Sequence, residues 1–208
     1  MDKLYKDRVD IINRWFANGE TSNKKTMDDW AKSRAALLDE LFDTYAMDDN
    51  LNPMKDDMND IISCFPDFLI APASTKYHGA YSGGLFDHSI AVLKAVYELS
   101  DVIKVESINP IAVLFHDLCK CDMYTEKDGK YQYAANVISI DHGSESLRRM
   151  MNCGIVPPER WQFAIAYHMG AFSDDSLQRT NYGKACEKYP EVLLLHTADM
   201  IASKIMHI

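Results

Sequence analysis

Apolar residues recur at intervals of three and four almost from end to end, and this period confines the chain to a helical architecture. Val9, Ile12 and Phe16 mark a first helix that Asn18-Gly19 ends. A second spans residues 27–45, with Trp30, Arg34, Leu37, Leu38, Leu41, Phe42 and Tyr45 along one stripe. Asn52-Pro53 opens a short third helix carrying Met58, Ile61 and Ile62, a cap residue followed by proline at the first helical position. Residues 65–84 lose the period, and their two prolines and three glycines read as a loop. Helices resume over residues 85–99, from Pro110 to about residue 118, and over 143–151, 158–168, 183–188 and 190–207. Residues 122–126 and 130–133 flank Lys127-Asp128-Gly129, an Asp-Gly turn that predicts a hairpin. The expected fold is all-α, a helical bundle with one small β-hairpin. Residues 1–65 read as an N-terminal helical extension and 66–208 as the main domain.

Composition narrows the function. The chain has 208 residues, 47% hydrophobic and 25% charged, which excludes extended disorder. Its apolar runs fall far short of the ~18 residues of a membrane span, and Met1-Asp2-Lys3-Leu4 begins no export signal. Five cysteines, an odd number, predict reduced thiols and a cytoplasmic location. The formal charge is −9, and nine acids with one base, Lys55, crowd between Asp39 and Asp67. That segment reads as a solvated helix face. An acidic surface repels a polyanion at long range, which argues against a dedicated nucleic-acid coat but leaves room for a small phosphorylated substrate held by a metal.

The placement of histidine and aspartate carries the chemistry. The step from His88 to His116 is 28 residues, from Asp117 to His142 25, from His142 to His168 26, and from His168 to Asp199 31. Each step is one helix plus a connection, so a bundle can bring one such residue per helix to a common interior point. A lone histidine at a helix end is more often a cap or a satisfied core residue. A His-Asp pair on the apolar stretch 111–118 is different, because burying it unpaired costs several kcal/mol. Imidazole and carboxylate without thiolate suit Mn, Fe, Co, Ni, Zn or Mg, as one or two ions. Such an ion lowers the pKa of water and neutralises phosphoryl charge, the two requirements of phosphoester hydrolysis.

These residues resemble the H…HD…D pattern of the HD-domain metal-dependent phosphohydrolases over about residues 70–205. The tract from His78-Gly79-Ala80-Tyr81 through Gly83-Gly84-Leu85 to His88, the His116-to-Lys120 segment, and His196 with Asp199 are most similar to the HD domains of bacterial 3′-to-5′ exoribonucleases and their stand-alone phage and Firmicute relatives. The resemblance implies that His88, His116, Asp117 and Asp199 ligate one ion. It implies that Asp117, His142 and His168 hold a second, with Asp117 bridging. Departures are Asp141, where the family often has glycine, Tyr167-His168-Met169-Gly170, which keeps one of two histidines, and Cys119 at a position usually small. The β-barrel that precedes the domain in the exoribonucleases has no counterpart, since residues 1–65 read as helical.

Other residues join with lesser weight. Lys120 is expected to contact phosphate or to snorkel at the surface. His78 and Tyr81 are expected at the pocket rim and Lys204 near substrate phosphate, while His196 shares a helix face with Asp199 and is positioned to orient it. Glu145 reads as early-turn helix charge, with a general base as the sharper alternative. Cys119 and Cys121 lack a second thiolate pair, so no structural zinc site is expected, although their nearness to the cluster makes them oxidation candidates. Three functions follow in order: a phosphohydrolase acting on a nucleotide or nucleotide-like phosphoester, a 3′-to-5′ nuclease on single strands, and an inactive nucleotide-sensing or protein-binding module. The helices before residue 65 are expected to pack on the domain or to make a homo-oligomer contact.

Overall fold

The computed structural model describes residues 3–17, 26–45, 53–105, 107–138, 140–172 and 176–208. Its helices are α1 (Lys3–Ala17), α2 (Met27–Asp43), α3 (Pro53–Cys64), α4 (Gly84–Ile103), α5 (Pro110–Leu114), α6 (His142–Asn152), α7 (Glu159–Tyr167), α8 (Ser176–Lys188) and α9 (Pro190–Ile201). Among the described residues the sheet is one antiparallel hairpin, β1 (Tyr124–Lys127) with β2 (Lys130–Tyr133), in register Tyr124 with Tyr133 and Glu126 with Tyr131. Asp128 and Gly129 both take positive φ, 53° and 71°, as the two-residue turn expected there requires. The all-α reading with one hairpin therefore holds. The expected helix end at Asn18-Gly19 and the cap at Asn52 lie outside the described residues.

Helix α4 is the axis of the bundle. It packs against α9, α5 and α1, while α7 packs against α9 and α6. Its Phe86, Val92 and Val96 are fully buried, in one core with Ile12 of α1, Leu41 and Phe42 of α2, Ile61 of α3, Leu114 of α5, Trp161 of α7 and Leu195 of α9. Apart from Asp48 and Asp49, which are outside the described residues, the acids between Asp39 and Asp67 face solvent or are half-buried, and Lys55 pairs with Asp43 and Asp39.

The first two helices are fastened to the start of α4. Thr26 and Asp29 close a reciprocal capping box that starts α2. One turn further on, the Arg34 guanidinium is buried, donates to Leu69 O at 3.1 Å, and lies 3.8 Å from Asp87 Oδ2. It lies flat against Gly83, where a Cβ would fall 2.1 Å from its Cζ and where φ is +84°, so only glycine fits. Asp87 also accepts the Tyr81 hydroxyl at 2.9 Å and the Trp15 indole N–H at 3.3 Å. A buried carboxylate is thus shared by α1, α2 and the loop before α4, one residue away from His88.

The expected helix from Pro110 to residue 118 is shorter in the structure. Its i→i−4 bonds end at Phe115 N to Ile111 O, and tighter i→i+3 bonds follow from Leu118 N to Phe115 O and from Lys120 N to Asp117 O. His116 and Asp117 therefore sit in a turn between α5 and a 3₁₀ turn at Leu118–Cys121. In a continuous helix adjacent side chains point ~100° apart. Leaving the helix lets both reach one point.

Candidate metal centre

Five imidazoles form a string through the interior: His78, His88, His116, His168 and His142, with successive ring centroids 5.0, 5.6, 5.0 and 5.5 Å apart. His88 comes from the first turns of α4, His116 from the end of α5, His168 from the C-cap of α7 and His142 from the first turn of α6. Asp199 comes from α9. The one-residue-per-helix convergence expected from the spacing is present.

Asp117 is the hub. Its Oδ1 lies 2.6 Å from His142 Nε2 and 3.3 Å from His168 Nε2, and its Oδ2 lies 2.6 Å from Lys120 Nζ and 3.6 Å from His116 Nε2. Asp199 Oδ1 lies 3.1 Å from His88 Nε2. Two sets of three have ligand atoms within 4.8 Å of one another, His88 with His116 and Asp199, and His116 with Asp117 and His168. A third set adds Cys119 to Asp117 and His142.

The tautomers favour ligation. His88 Nδ1 meets Ile208 O at 2.9 Å, His116 Nδ1 meets Val113 O at 2.7 Å and His168 Nδ1 meets Ile165 O at 2.7 Å. A carbonyl only accepts, so each Nδ1 carries a proton, and in the neutral ring it is Nε2 that presents a lone pair to the centre. All three Nε2 atoms are buried and make no hydrogen bond. Unsatisfied buried acceptors of this kind are costly in an ordinary core. A divalent ion is the partner that three converging imidazole lone pairs and two carboxylates suit, so the donor set fits a borderline or hard metal.

His142 is set the other way. Burial pushes the Cys119 thiol up to about 12, with the Asp117 charge adding to it, so the thiol stays protonated. It lies 3.2 Å from His142 Nδ1, to which it donates, leaving Nε2–H to donate to Asp117. Cys119 and Cys121 are both buried, and burial raises both thiols, a setting that disfavours the thiolate through which oxidation proceeds. The role of Cys119 as partner of His142 was not visible in the sequence, because their contact joins positions 23 apart across two elements.

The charges are balanced inside the cluster. Burial would raise the Asp117 carboxyl, but Lys120, His116 and His142 outweigh it and hold the group well below the usual carboxylate range. Burial would lower Lys120, but Asp117 outweighs it and raises the ammonium. His88 likewise overcomes burial to hold Asp199 low. Burial lowers His116 to about 4, whereas Asp117 overcomes burial and raises His168.

The peripheral expectations divide. Lys120 is buried against Asp117, not a snorkelling surface residue. His78 is half-buried beside His88, at the edge of the cluster. Tyr81 turns its hydroxyl to Asp87, and Lys204 is exposed on the closing turn after α9; no described contact brings either to the cluster. Glu145 is buried with its oxygens on Arg148 and Arg149, 2.6–2.9 Å away, so it is a structural ion pair and not a base. His196 Nδ1 meets His168 O at 2.7 Å, a hold on the His168 loop that the shared helix face with Asp199 did not suggest. Asp141, the residue replacing a common glycine, caps α6 by accepting Ser144 N at 3.0 Å.

The chain is similar to a dihydroneopterin 2′,3′-cyclic phosphate phosphodiesterase of Methanocaldococcus jannaschii. The identity is 29% over 145 residues, which are 65% of this chain and 52% of that protein. The chain thus spans about half the length of the curated relative it matches. No protein-family profile matches the chain, and no solved structure matches it. No helix among the described residues is long and apolar enough to cross a membrane.

Proposed function

We propose that this protein is a metal-dependent phosphohydrolase that cleaves a phosphoester of a nucleotide or nucleotide-like compound. The observation that carries the reading is the trio of buried, hydrogen-bond-free Nε2 atoms of His88, His116 and His168, aimed at a centre with two carboxylates held ionised. The similarity to a cyclic phosphate phosphodiesterase supports the same class of reaction. The ordered His/Asp set supports an HD-type site, borne by residues 66–208 and braced by the helices before them.

In this reading His88, His116, Asp117 and Asp199 would hold one ion, and Asp117, His168 and His142 a second, His142 giving up its Nε2 proton to do so. An ion so held supplies Lewis acidity, which makes water a nucleophile near neutral pH and offsets phosphoryl charge. The chain's own groups do the rest. Lys120, whose ammonium lies 2.6 Å from Asp117 Oδ2, would offer it to a phosphoryl oxygen bound beside that carboxylate. His142, whose Nε2–H already points at the hub, donates a hydrogen bond to the phosphate when only one ion is held. His78 closes the edge beside His88. The Nδ1 bonds to main-chain carbonyls keep the rings from swinging, so the centre is preorganised.

The test is metal content by mass spectrometry, followed by phosphate release from mono-, di- and cyclic nucleotides with Mn, Mg, Co or Ni added. Turnover that is abolished by a chelator and restored by one of these ions is the expected result. Cleavage confined to single-stranded oligonucleotides replaces the reading with a nuclease. Nucleotide binding without turnover under every ion leaves a sensing module.

A further inference from the structure

Between the β1–β2 hairpin and the loop carrying Thr75, Lys76 and Ala80 lies a cleft of about 740 Å³. Glu126, Lys130, Tyr131 and Tyr133 form its hairpin wall. Both walls lead back to the histidine cluster. On the loop side His78 lies between the lining residues Lys76 and Ala80, with its ring 5.0 Å from that of His88. On the hairpin side the Tyr133 ring packs at a tilt against Tyr124, centroids 5.3 Å apart, and Tyr124 lies near enough to Lys120 for the ammonium to pull against the burial that pushes its hydroxyl up to about 12. Each wall of the cleft is thus linked, through His78 on one side and Tyr124 on the other, to residues of the cluster that holds Asp117.

Its lining has a defined chemistry. Cross-strand partners share a face of a sheet, so Tyr133 with Tyr124 and Tyr131 with Glu126 present three phenol rings and one carboxylate on the same side. All four residues of β2 line the cleft, and β2 is an edge strand, so unpaired main-chain N–H and C=O groups face it as well. Glu126 is exposed and has no cation paired with it among the described residues. Lys76 and Lys130 place positive charge at the cleft of a chain whose net charge is −9, which favours a phosphorylated ligand there over elsewhere on the surface. Ring faces that stack on a base without regard to its identity, beside one acceptor-only group, are the elements by which a heterocycle is held and then discriminated.

We propose that this cleft is the subsite for the heterocycle of the substrate, that Tyr131 and Tyr133 stack on the ring, and that Glu126 selects a 2-amino-4-oxo ring, the edge shared by guanine and pterins. The proposal rests on the phosphohydrolase reading of the adjoining cluster. A carboxylate accepts from both the ring N–H and the exocyclic amine of that edge. Adenine offers a ring nitrogen lone pair at the matching position, which a carboxylate repels.

The test separates ring recognition from catalysis. Binding of guanosine and adenosine monophosphate to the full chain is measured by calorimetry in Mn. Hydrolysis of bis(p-nitrophenyl) phosphate, which lacks the heterocycle, is followed in parallel. Wild type is expected to bind the guanine nucleotide at least tenfold tighter. Glu126→Gln should erase that preference, Tyr131→Ala should weaken both nucleotides about tenfold, and Tyr131→Phe should restore them. All three variants should hydrolyse the ring-free diester at the wild-type rate. Equal binding of the two nucleotides by wild type, no binding of either at millimolar concentration, or a preference that survives Glu126→Gln overturns the proposal. Absence of wild-type hydrolysis of this diester and of every mono-, di- and cyclic nucleotide overturns the phosphohydrolase reading instead, and the binding comparison still decides the cleft.

Discussion

The Lys120 ammonium stands 2.6 Å from Asp117 Oδ2, with both side chains almost wholly removed from solvent. Each alone would be driven toward its neutral form by burial, and each holds the other charged. Removing one partner of a buried pair leaves an uncompensated charge, which costs about 3–5 kcal/mol. Lys120→Met is therefore expected to lower the thermal midpoint of the chelator-treated protein by roughly 10 °C for a chain of this size. Saturating Mn should recover much of the loss, because the ion supplies the missing positive charge to Asp117. Calorimetric scans in chelator and in Mn check this. A drop of equal size in both conditions would mean that the ion does not approach Asp117.

Asp117→Ala makes the opposite deletion. It removes a carboxylate that lies within 4 Å of His88, His116, His142 and His168, and with it the anionic charge that offsets an ion among neutral imidazoles. Metal retention after gel filtration and phosphate release should both be lost. The helical signal should persist, since Asp117 lies in a turn and not in a helix. Lys120→Ala contrasts with it: metal content should stay, and KM should rise more than kcat falls if the ammonium contacts bound phosphate. Hydrolysis near the wild-type rate by Asp117→Ala would place the chemistry elsewhere.

Stability of the metal-free protein should follow the histidines. His116 is lowered to about 4 by burial, against about 6.5 in an unfolded chain. Between those values the unfolded chain binds the extra proton, so stability falls as pH drops from about 6.5 toward 4, by roughly 3 kcal/mol in all. His168 is raised, so the folded state binds the extra proton above about 6.5. Its contribution is complete below that pH and is lost as pH rises through its folded value. Urea midpoints in chelator should peak near pH 6.5. His116→Gln should flatten the acid limb and His168→Gln the alkaline one, and limbs unchanged by either substitution would assign the pH dependence to other groups.

Much of this was legible in the residues. The 3.6-residue period placed the helices because each one buries an apolar stripe in a single core, and the Asp-Gly turn placed the hairpin because both positions take positive φ. The spacing of His88, His116-Asp117, His142, His168 and Asp199 was readable because each sits near a helix end facing the same interior. Contacts between elements were not readable. Nothing local marks His196 as bound to His168 O or Cys119 as the partner of His142, since each depends on the packing of segments more than 20 residues apart, and Tyr81 turns to Asp87, six residues on, through the conformation of the irregular loop between them. The early end of α5 was missed for a related reason: residues 111–118 are apolar enough to continue as a helix, and the turn at His116 forms around Asp117 and its partners instead.

The His168–His196 contact yields a last expectation. Gly170 follows His168 by two residues with φ at +65°, and a Cβ there would fall 2.4 Å from His196 Cε1. Ala at this position is strained both by its backbone and by the ring, at a cost of about 1–3 kcal/mol. The ring can relieve the clash only by giving up its 2.7 Å bond to His168 O, which moves the loop that aims His168 at Asp117. Gly170→Ala should therefore weaken ion binding at the His116, Asp117 and His168 set. Binding at His88, His116 and Asp199 should be nearly untouched, because the helix pair α4–α9 that carries His88 and Asp199 does not include the strained loop. Adding His196→Ala removes the clash, so the double variant should be less impaired than the two single effects combined. Mn titration followed by electron paramagnetic resonance resolves the two affinities. Equal weakening of both would mean that Gly170→Ala disturbs the whole cluster and that His196 has no selective hold on His168.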